Sequence, residues 1–433
     1  MTRAVRMLLG AIAVAVLSTG TAAAQPIAIV GGKVYPVSGP PIENATVVIN
    51  GERIEAVGVN VAVPANARRI DAKGKWVTPG FVHASATLGV VEVGAVADTN
   101  DTRAKPPHAV AAAFRVWDGL NPATVLWAPT RNEGVTSVVV MPSGGLVAGQ
   151  AAWVDLGDGS RTDVVRQAPV AMVGQLGAPE SAGASARGEV LGRLRELLED
   201  AKTYAAKKSA YESGDVRAFS AGRLDLDAMG PVGEGRVPLV LDVDRASDIE
   251  RALDLAADLE KAAGIHLRLV ILGGAEAWKV AGRLAAAKVP VLTGALTNIP
   301  GSFASLGARQ ENAGLLRKAG VTVVVIGTQG DAFNVRNVRQ DAGNAVAYGM
   351  TWDDALRAVT LAPAEVFGVE STVGSLQAGR DANVVVWDGD PFEFKTRAVN
   401  VFVRGRDVKG PSRQDELTER YKKQPPAYRK KPN

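Results

Sequence analysis

Between Thr78 and Leu361 short apolar runs that suit strands alternate with segments of helical period, and this alternation restricts the chain to βα units built on a parallel sheet. The strand candidates are Phe81 to Val90, Val135 to Met141, Pro169 to Val173, Val237 to Val243, Leu267 to Leu272, Val289 to Thr293 and Val321 to Ile326. One helix is written plainly between them. Val190, Leu191, Leu194, Leu197, Leu198 and Ala201 recur at three- and four-residue spacing, while Arg187, Arg193, Arg195, Glu196, Glu199 and Asp200 take the remaining positions. Such a stripe buries one face and leaves the charged face in water. The pattern fits a (β/α)8 barrel and a doubly wound open sheet equally, because both repeat the same local unit.

The two ends have a different texture. Ile27 to Val37 and Ala45 to Val57 are rich in Val and Ile, with turn signals at Gly31-Gly32, Gly39-Pro40-Pro41 and Asn50-Gly51. The same texture returns from Gly374 to Val408, in the runs Asn383 to Trp387 and Ala398 to Val403. This divides the chain into strand-rich ends, residues 25–78 and 362–410, around an α/β middle, residues 79–361. A last segment, 411–433, holds seven Lys and Arg against three Asp and Glu, with Pro425-Pro426 and Arg429-Lys430-Lys431, and reads as a solvated, disordered tail.

The first 24 residues carry Arg3 and Arg6, an apolar run from Met7 to Leu17 and small residues ending at Ala22-Ala23-Ala24, which is the order of a cleavable secretory signal. The expected mature chain starts near Gln25, is periplasmic or secreted, and keeps no transmembrane anchor. With no cysteine it has neither disulfides nor a lipid-modified N-terminal Cys. Between Gln25 and Gly410 there are 40 basic and 42 acidic residues, so the surplus of positive charge belongs to the tail and nothing argues for a nucleic-acid surface.

Four stretches carry a resemblance: WVTPGFVHASATLG (Trp76 to Gly89), NEGVTSVVVMPSGG (Asn132 to Gly145), LAPAEVFGVESTVGSLQAGRDANVVVWDGDP (Leu361 to Pro391) and VINGERIEAVG (Val48 to Gly58). Together they resemble the amidohydrolase superfamily, and among its branches the imidazolonepropionase-like, metal-dependent hydrolases of carbon–nitrogen bonds other than peptide bonds. The resemblance implies an α/β fold, a (β/α)8 TIM-like barrel over 79–361, with a composite β-sandwich made by both ends of the mature chain. It also implies a metal at the barrel mouth. Two histidines one residue apart on the first strand point the same way and grip it, later strands add further ligands, and an aspartate after the last strand completes the site.

Here the positions that the resemblance assigns to those ligands are substituted. Ser85 and Thr87 stand where the paired histidines belong, Asp242 at the fifth-strand position, Gly273 at the sixth, and Gln329 in place of the aspartate. Hydroxyls are weak ligands beside imidazole, glycine offers no donor, and an amide is neither a charged ligand nor a base. Without a Lewis acid the pKa of an attacking water returns from about 7 toward 15.7, so hydroxide at neutral pH falls by roughly eight orders of magnitude. Five substitutions together imply that no metal is held and that direct catalysis is doubtful.

A site rebuilt from other residues is the alternative. The chain has three histidines, His83, His108 and His266. His83 shares strand parity with Ser85 and Thr87, which points it into the barrel, though deeper; His108 follows Lys105-Pro106-Pro107 in a loop of the active face; His266 precedes its strand and belongs to the opposite end. The candidate pocket is His83, His108, Asp242 and Asp244, two imidazoles and two carboxylates that suit zinc or another divalent metal. The bland readings are a buried core histidine, a solvated loop histidine, and an acidic pair that caps backbone amides or meets Arg245. Gly144-Gly145 and Gly273-Gly274 lack the pattern of a phosphate loop, and no nucleophile elbow is present. Two functions follow. One is a metal-free, degenerate amidohydrolase, a pseudoenzyme that binds a small-molecule ligand and dimerises with itself or with an active paralogue. The other is an active amidohydrolase or dipeptidase-like hydrolase with a rebuilt metal site.

Overall fold

In chain order the strands are β1 (Ile27–Val34), β2 (Ile42–Asn50), β3 (Arg53–Gly58), β4 (Arg68–Asp71), β5 (Trp76–Pro79), β6 (Phe81–Ala86), β7 (Val135–Val140), β8 (Val147–Asp155), β9 (Val165–Gln175), β10 (Leu239–Val243), β11 (Leu269–Gly273), β12 (Val291–Thr293), β13 (Val323–Val325), β14 (Val384–Trp387), β15 (Ala398–Val403) and β16 (Arg406–Asp407). The computed structural model describes residues 25–104, 109–296, 300–327 and 332–422.

The strand-rich ends join in one eight-stranded sheet, ordered β16-β15-β14-β5-β1-β2-β3 with β4 also on β1. Strand β1 changes neighbour halfway: Ile27 to Val30 pair in parallel with β4, and Lys33 and Val34 pair with β5. Gly31 and Gly32 make the switch. Gly31 has φ +79°, and a methyl on Gly32 would lie 2.8 Å from a Val77 methyl, so the bend tolerates no side chain there. Ile29, Val47 and Ile49 from the start of the chain share one buried cluster with Val384, Val386 and Phe402 from its end. That shared core is why the ends form one unit although the barrel separates them in sequence.

The middle forms a second eight-stranded sheet, β13-β12-β11-β10-β9-β8-β7-β6, in which β6 and β13 come side by side so that the barrel nearly closes. All seven expected strands are present, with ends shifted by a few residues. The eighth, β8, was not expected and runs antiparallel to both β7 and β9. Its sequence, VAGQAAWVD, is buried at every position, so it shows no alternation, and its Ala and Gly content hides it from a reading based on Val and Ile. Val82, Ala84, Val139, Met141, Val173, Val240, Leu272, Leu292 and Val324 fill one cluster, while Phe81, Val138, Leu241, Ile271 and Val325 pack in another with Leu194 and Leu197 of the helix Arg187–Ala206. The first cluster is the barrel interior, and the second joins the strands to the helices outside.

That helix buries Val190, Leu194, Leu197, Leu198 and Ala201 as its spacing requires. Asp200 departs from the expected charged face. It is fully buried, where its carboxylate accepts a hydrogen bond from the Ser220 amide at 2.7 Å and pairs with Arg217.

Because β8 runs backwards, its last residue Asp155 lies at the bottom of the barrel, against the end-sheet. Asp155 and Asp381 are both buried and share Arg166, at 3.3 and 3.0 Å, while Arg53 reaches Asp381 at 3.1 Å and Ser137 Oγ donates to Asp155 at 2.8 Å. Burial pushes the Asp155 carboxyl up to about 6, against the pull of Ser137 and Arg166. The network ties the two units at one point.

The C-terminal segment, expected to be a solvated and disordered tail, is described only as far as Lys422. Residues Arg413–Lys422 form a helix with no buried residue. Its start is fixed locally, with Ser412 N–H donating to Asp415 at 2.8 Å and Asp415 N–H donating to Ser412 Oγ at 3.2 Å, and i,i+3 pairs such as Arg413–Glu416 line its side. Residues 423–433 lie outside the described residues. Since nothing on this helix packs, truncation after Gly410 is expected to leave the melting temperature within a few degrees of the full chain by calorimetry; a larger fall would show the helix docked. Among the described residues no helix is long and apolar enough to cross a membrane.

Candidate site at the barrel mouth

The C-terminal ends of the parallel strands open into a cavity of about 830 Å³. Its floor is the top of the interior cluster, Met141, Val173 and Leu272, and its polar lining includes Ser85, Thr87, Ser143, Gln175 and Asp242. Ser85 and Thr87 therefore face the mouth, as their matched positions require. Thr87 Oγ1 is buried and has no hydrogen-bond partner among the described residues. Asp242 follows inward-facing Val240 by two residues on β10, which sends its carboxyl to the same floor. No hydrogen bond or ion pair reaches that carboxyl among the described residues, and burial, helped by the charge of Asp244, pushes it up to about 6.

Asp244 is used differently. Its Oδ1 accepts a hydrogen bond from the Ala275 amide at 3.1 Å, and burial raises its pKa. Gly273 explains why: it has φ +84°, and a Cβ placed on it would lie 2.7 Å from Asp244 Oδ1 and 3.4 Å from Asp242 Oδ1. The space that a sixth-strand side chain would occupy is already taken by the acidic pair.

His83 does not line the cavity. It lies between Val82 and Ala84, which belong to the interior cluster, and β6 shifts register between His83 and Ala86, so the parity shared with Ser85 is broken. Its ring is 1% exposed; Nε2 accepts a hydrogen bond from the Gly327 amide at 3.1 Å, and Nδ1 a long one from the Ser85 amide at 3.4 Å. Burial drives its pKa down to about 4. Beyond Gly327 stands Asp341 of the helix Val338–Ala347: a methyl on Gly327 would be 3.1 Å from His83 Nε2 and 3.2 Å from Asp341 Oδ2. Asp341 is 4% exposed, has no partner among the described residues, and burial pushes it up to about 7. His108 and Gln329 lie outside the described residues. His266 is exposed ahead of β11, 3.2 Å from Glu260 and remote from the mouth.

Of the candidate pocket, then, Asp242 and Asp244 are neighbours, and His83 faces the other side of its strand. Among the described residues no group of three or more His, Cys, Asp or Glu is placed to hold a metal ion. Among the described residues the donor set fits a divalent metal poorly: Asp242 is one carboxylate, Glu180 is a second in the exposed part of the lining, Asp244 is committed to a backbone amide, and Ser85 and Thr87 supply weak hydroxyls.

Arg103 at the mouth and Asp341 beside His83 were not singled out from the sequence. Arg103 lines the cavity, donates from Nε to Ser143 Oγ at 3.3 Å and makes no ion pair among the described residues. The loop argument that drew attention to His108 applies equally to Arg103, five residues earlier in the same connection. Gly144 and Gly145 also line the cavity, at φ +85° and +74°, and a Cβ on Gly145 would lie 2.7 Å from the Ala109 carbonyl oxygen. They are turn glycines of the mouth rather than a phosphate loop. Asp341 comes from a helix with no local motif and carried no signal at all.

The model of the amidohydrolase family matches residues 245–414. The amidohydrolase tasK of Hapsidospora irregularis is 22% identical over 376 residues, 79% of this chain, but the chain spans only 37% of that protein's length. Imidazolonepropionase of Rhizobium meliloti (strain 1021) is 24% identical over 397 residues, covering 85% of this chain and 91% of that one. The crystal structure of an amidohydrolase from Thermotoga maritima MSB8 superposes with a TM-score of 0.79 at 27% identity, over 88% of this chain and 99% of that one. A return from barrel to sheet in the matched segment, a near-closed barrel and one end-sheet built from both termini agree with these likenesses, all of which are to the amidohydrolase superfamily.

Proposed function

We propose that this chain is an exported, metal-free member of the superfamily, a pseudoenzyme of the imidazolonepropionase-like branch that binds a small molecule at its barrel mouth and works beside a partner subunit. The observation that carries the reading is at β10 and β11. Asp242 stands alone among the matched ligand positions, and Gly273 has been built into the packing, its side-chain space filled by Asp244. A site merely missing a ligand would leave room for it. The competing reading, a hydrolase whose zinc or other divalent metal is held by His83, His108, Asp242 and Asp244, gains nothing from His83, which is sealed against Gly327.

The fold is retained in full although the matched positions are lost, and a dimer with itself or with a histidine-complete amidohydrolase of the same compartment gives that fold a use. The chain purified from its native periplasm is expected to start near Gln25 by mass spectrometry. It should run as a dimer by light scattering and show no hydrolysis of N-acyl amino acids or dipeptides, with or without added zinc. A monomer that turns these substrates over unaided contradicts both the pairing and the loss of catalysis.

A further inference from the structure

Resting on that reading of the mouth as a metal-free binding site, we infer that its ligand is a small amino-carboxylate, held by its ammonium against Asp242 and by its carboxylate against Arg103. The floor supplies the first half. A desolvated carboxyl with no partner is unfavourable as a charge, and it is relieved by a proton or by a bound cation. Thr87 Oγ1, buried and unpaired, lines the same cavity and offers a second acceptor. One carboxylate and one hydroxyl are too few for a divalent metal but suit an ammonium group, a compact monocation with three donors.

The rim supplies the second half. Arg103 spends only Nε on a neutral oxygen, Ser143 Oγ, and no carboxylate of the described residues meets its guanidinium. A single guanidinium matches one carboxylate through two parallel N–H bonds, whereas a phosphate site gathers more donors than this rim shows. Gly144 lies under the guanidinium, its absent Cβ only 3.4 Å from Arg103 Nε, so the rim is open for a planar group to lie flat. A cavity of about 830 Å³ with Asp242 on its floor and Arg103 on its rim, neither ion-paired among the described residues, is complementary to a ligand charged oppositely at its two ends; Glu180, exposed in the same lining, is a second anion that the ammonium can meet.

Titration calorimetry on the full mature chain tests this with ω-amino acids of increasing length, L-arginine, and alkylamines and alkyl carboxylates of the same lengths. At least one amino acid is expected to bind more tightly than both of its single-ended analogues. Asp242→Asn should weaken it about 10- to 100-fold and erase its advantage over the carboxylate; Arg103→Gln should do the same relative to the amine. Thr87→Val, nearly isosteric, should give a smaller loss, and unchanged melting curves show that each variant folds. If the carboxylates bind as tightly as the amino acids and Asp242→Asn changes nothing, the ligand class is wrong while the binding reading survives. If no compound of the series binds, the inference fails. If the chain instead retains a stoichiometric metal at Asp242, the inference and the reading beneath it fall together.

Discussion

Gly273→His, which puts an imidazole where the resemblance implies a sixth-strand ligand, is expected to destabilise the chain by about 2–5 kcal/mol. Two terms add. A side chain at φ +84° costs roughly 1–2 kcal/mol, because the Cβ crowds its own carbonyl. Forcing a Cβ to 2.7 Å from Asp244 Oδ1 adds the 1–3 kcal/mol typical of overpacking, since Asp244 must leave its bond to Ala275. Urea denaturation reads the sum, and Gly273→Ala should already show most of it. Adding Asp244→Ala to Gly273→Ala should recover the steric part and leave the conformational part. A Gly273→His chain as stable as the parent would mean that Asp244 moves aside freely.

Asp341→Asn is expected to act in the opposite direction and only at high pH. Its folded pKa of about 7 lies above the ordinary 3.8, so the folded chain holds a proton there that the unfolded chain has released. Stability from this group is therefore full at acid pH and is lost as pH rises between about 4 and 7. At pH 8 a buried charge without a partner among the described residues remains, and the neutral amide should stabilise by about 1–3 kcal/mol, less than the full shift because the amide would itself lack a partner there. At pH 4 the two chains should differ little. Asp155 and Asp242, raised to about 6, push the same way, whereas His83, lowered from 6.5 to about 4, withdraws stability as pH falls through that window. Urea midpoints for both chains at pH 4 and pH 8 decide it. A loss of stability in Asp341→Asn at pH 8 would show that the carboxylate has a cationic partner.

What the sequence could show follows from how each feature is encoded. The parallel strands repeat Val and Ile in short runs, and the helix Arg187–Ala206 repeats its leucines at helical spacing, so both are written locally. The joining of the two ends is not local, and only motif likeness pointed to it. Strand β8 escaped because a strand buried on both faces has no alternation, and its alanines favour helix over strand. At the mouth, Ser85, Thr87 and Asp242 were legible because they sit in matched positions. The direction of His83 was not, because a register shift after it reverses the parity on which the reading relied. Asp341 and Arg103 show the same limit: one arrives from a distant helix and the other from a loop without a motif, and only the fold brings them to His83 and to Ser143.

Elemental analysis of the chain purified without chelator tests the absence of a resident metal most directly. Far less than one equivalent of zinc, iron, manganese, cobalt or nickel per chain is expected, unchanged in Asp242→Ala and His83→Ala. One tightly held equivalent that disappears in either variant would contradict it and would establish a rebuilt catalytic centre.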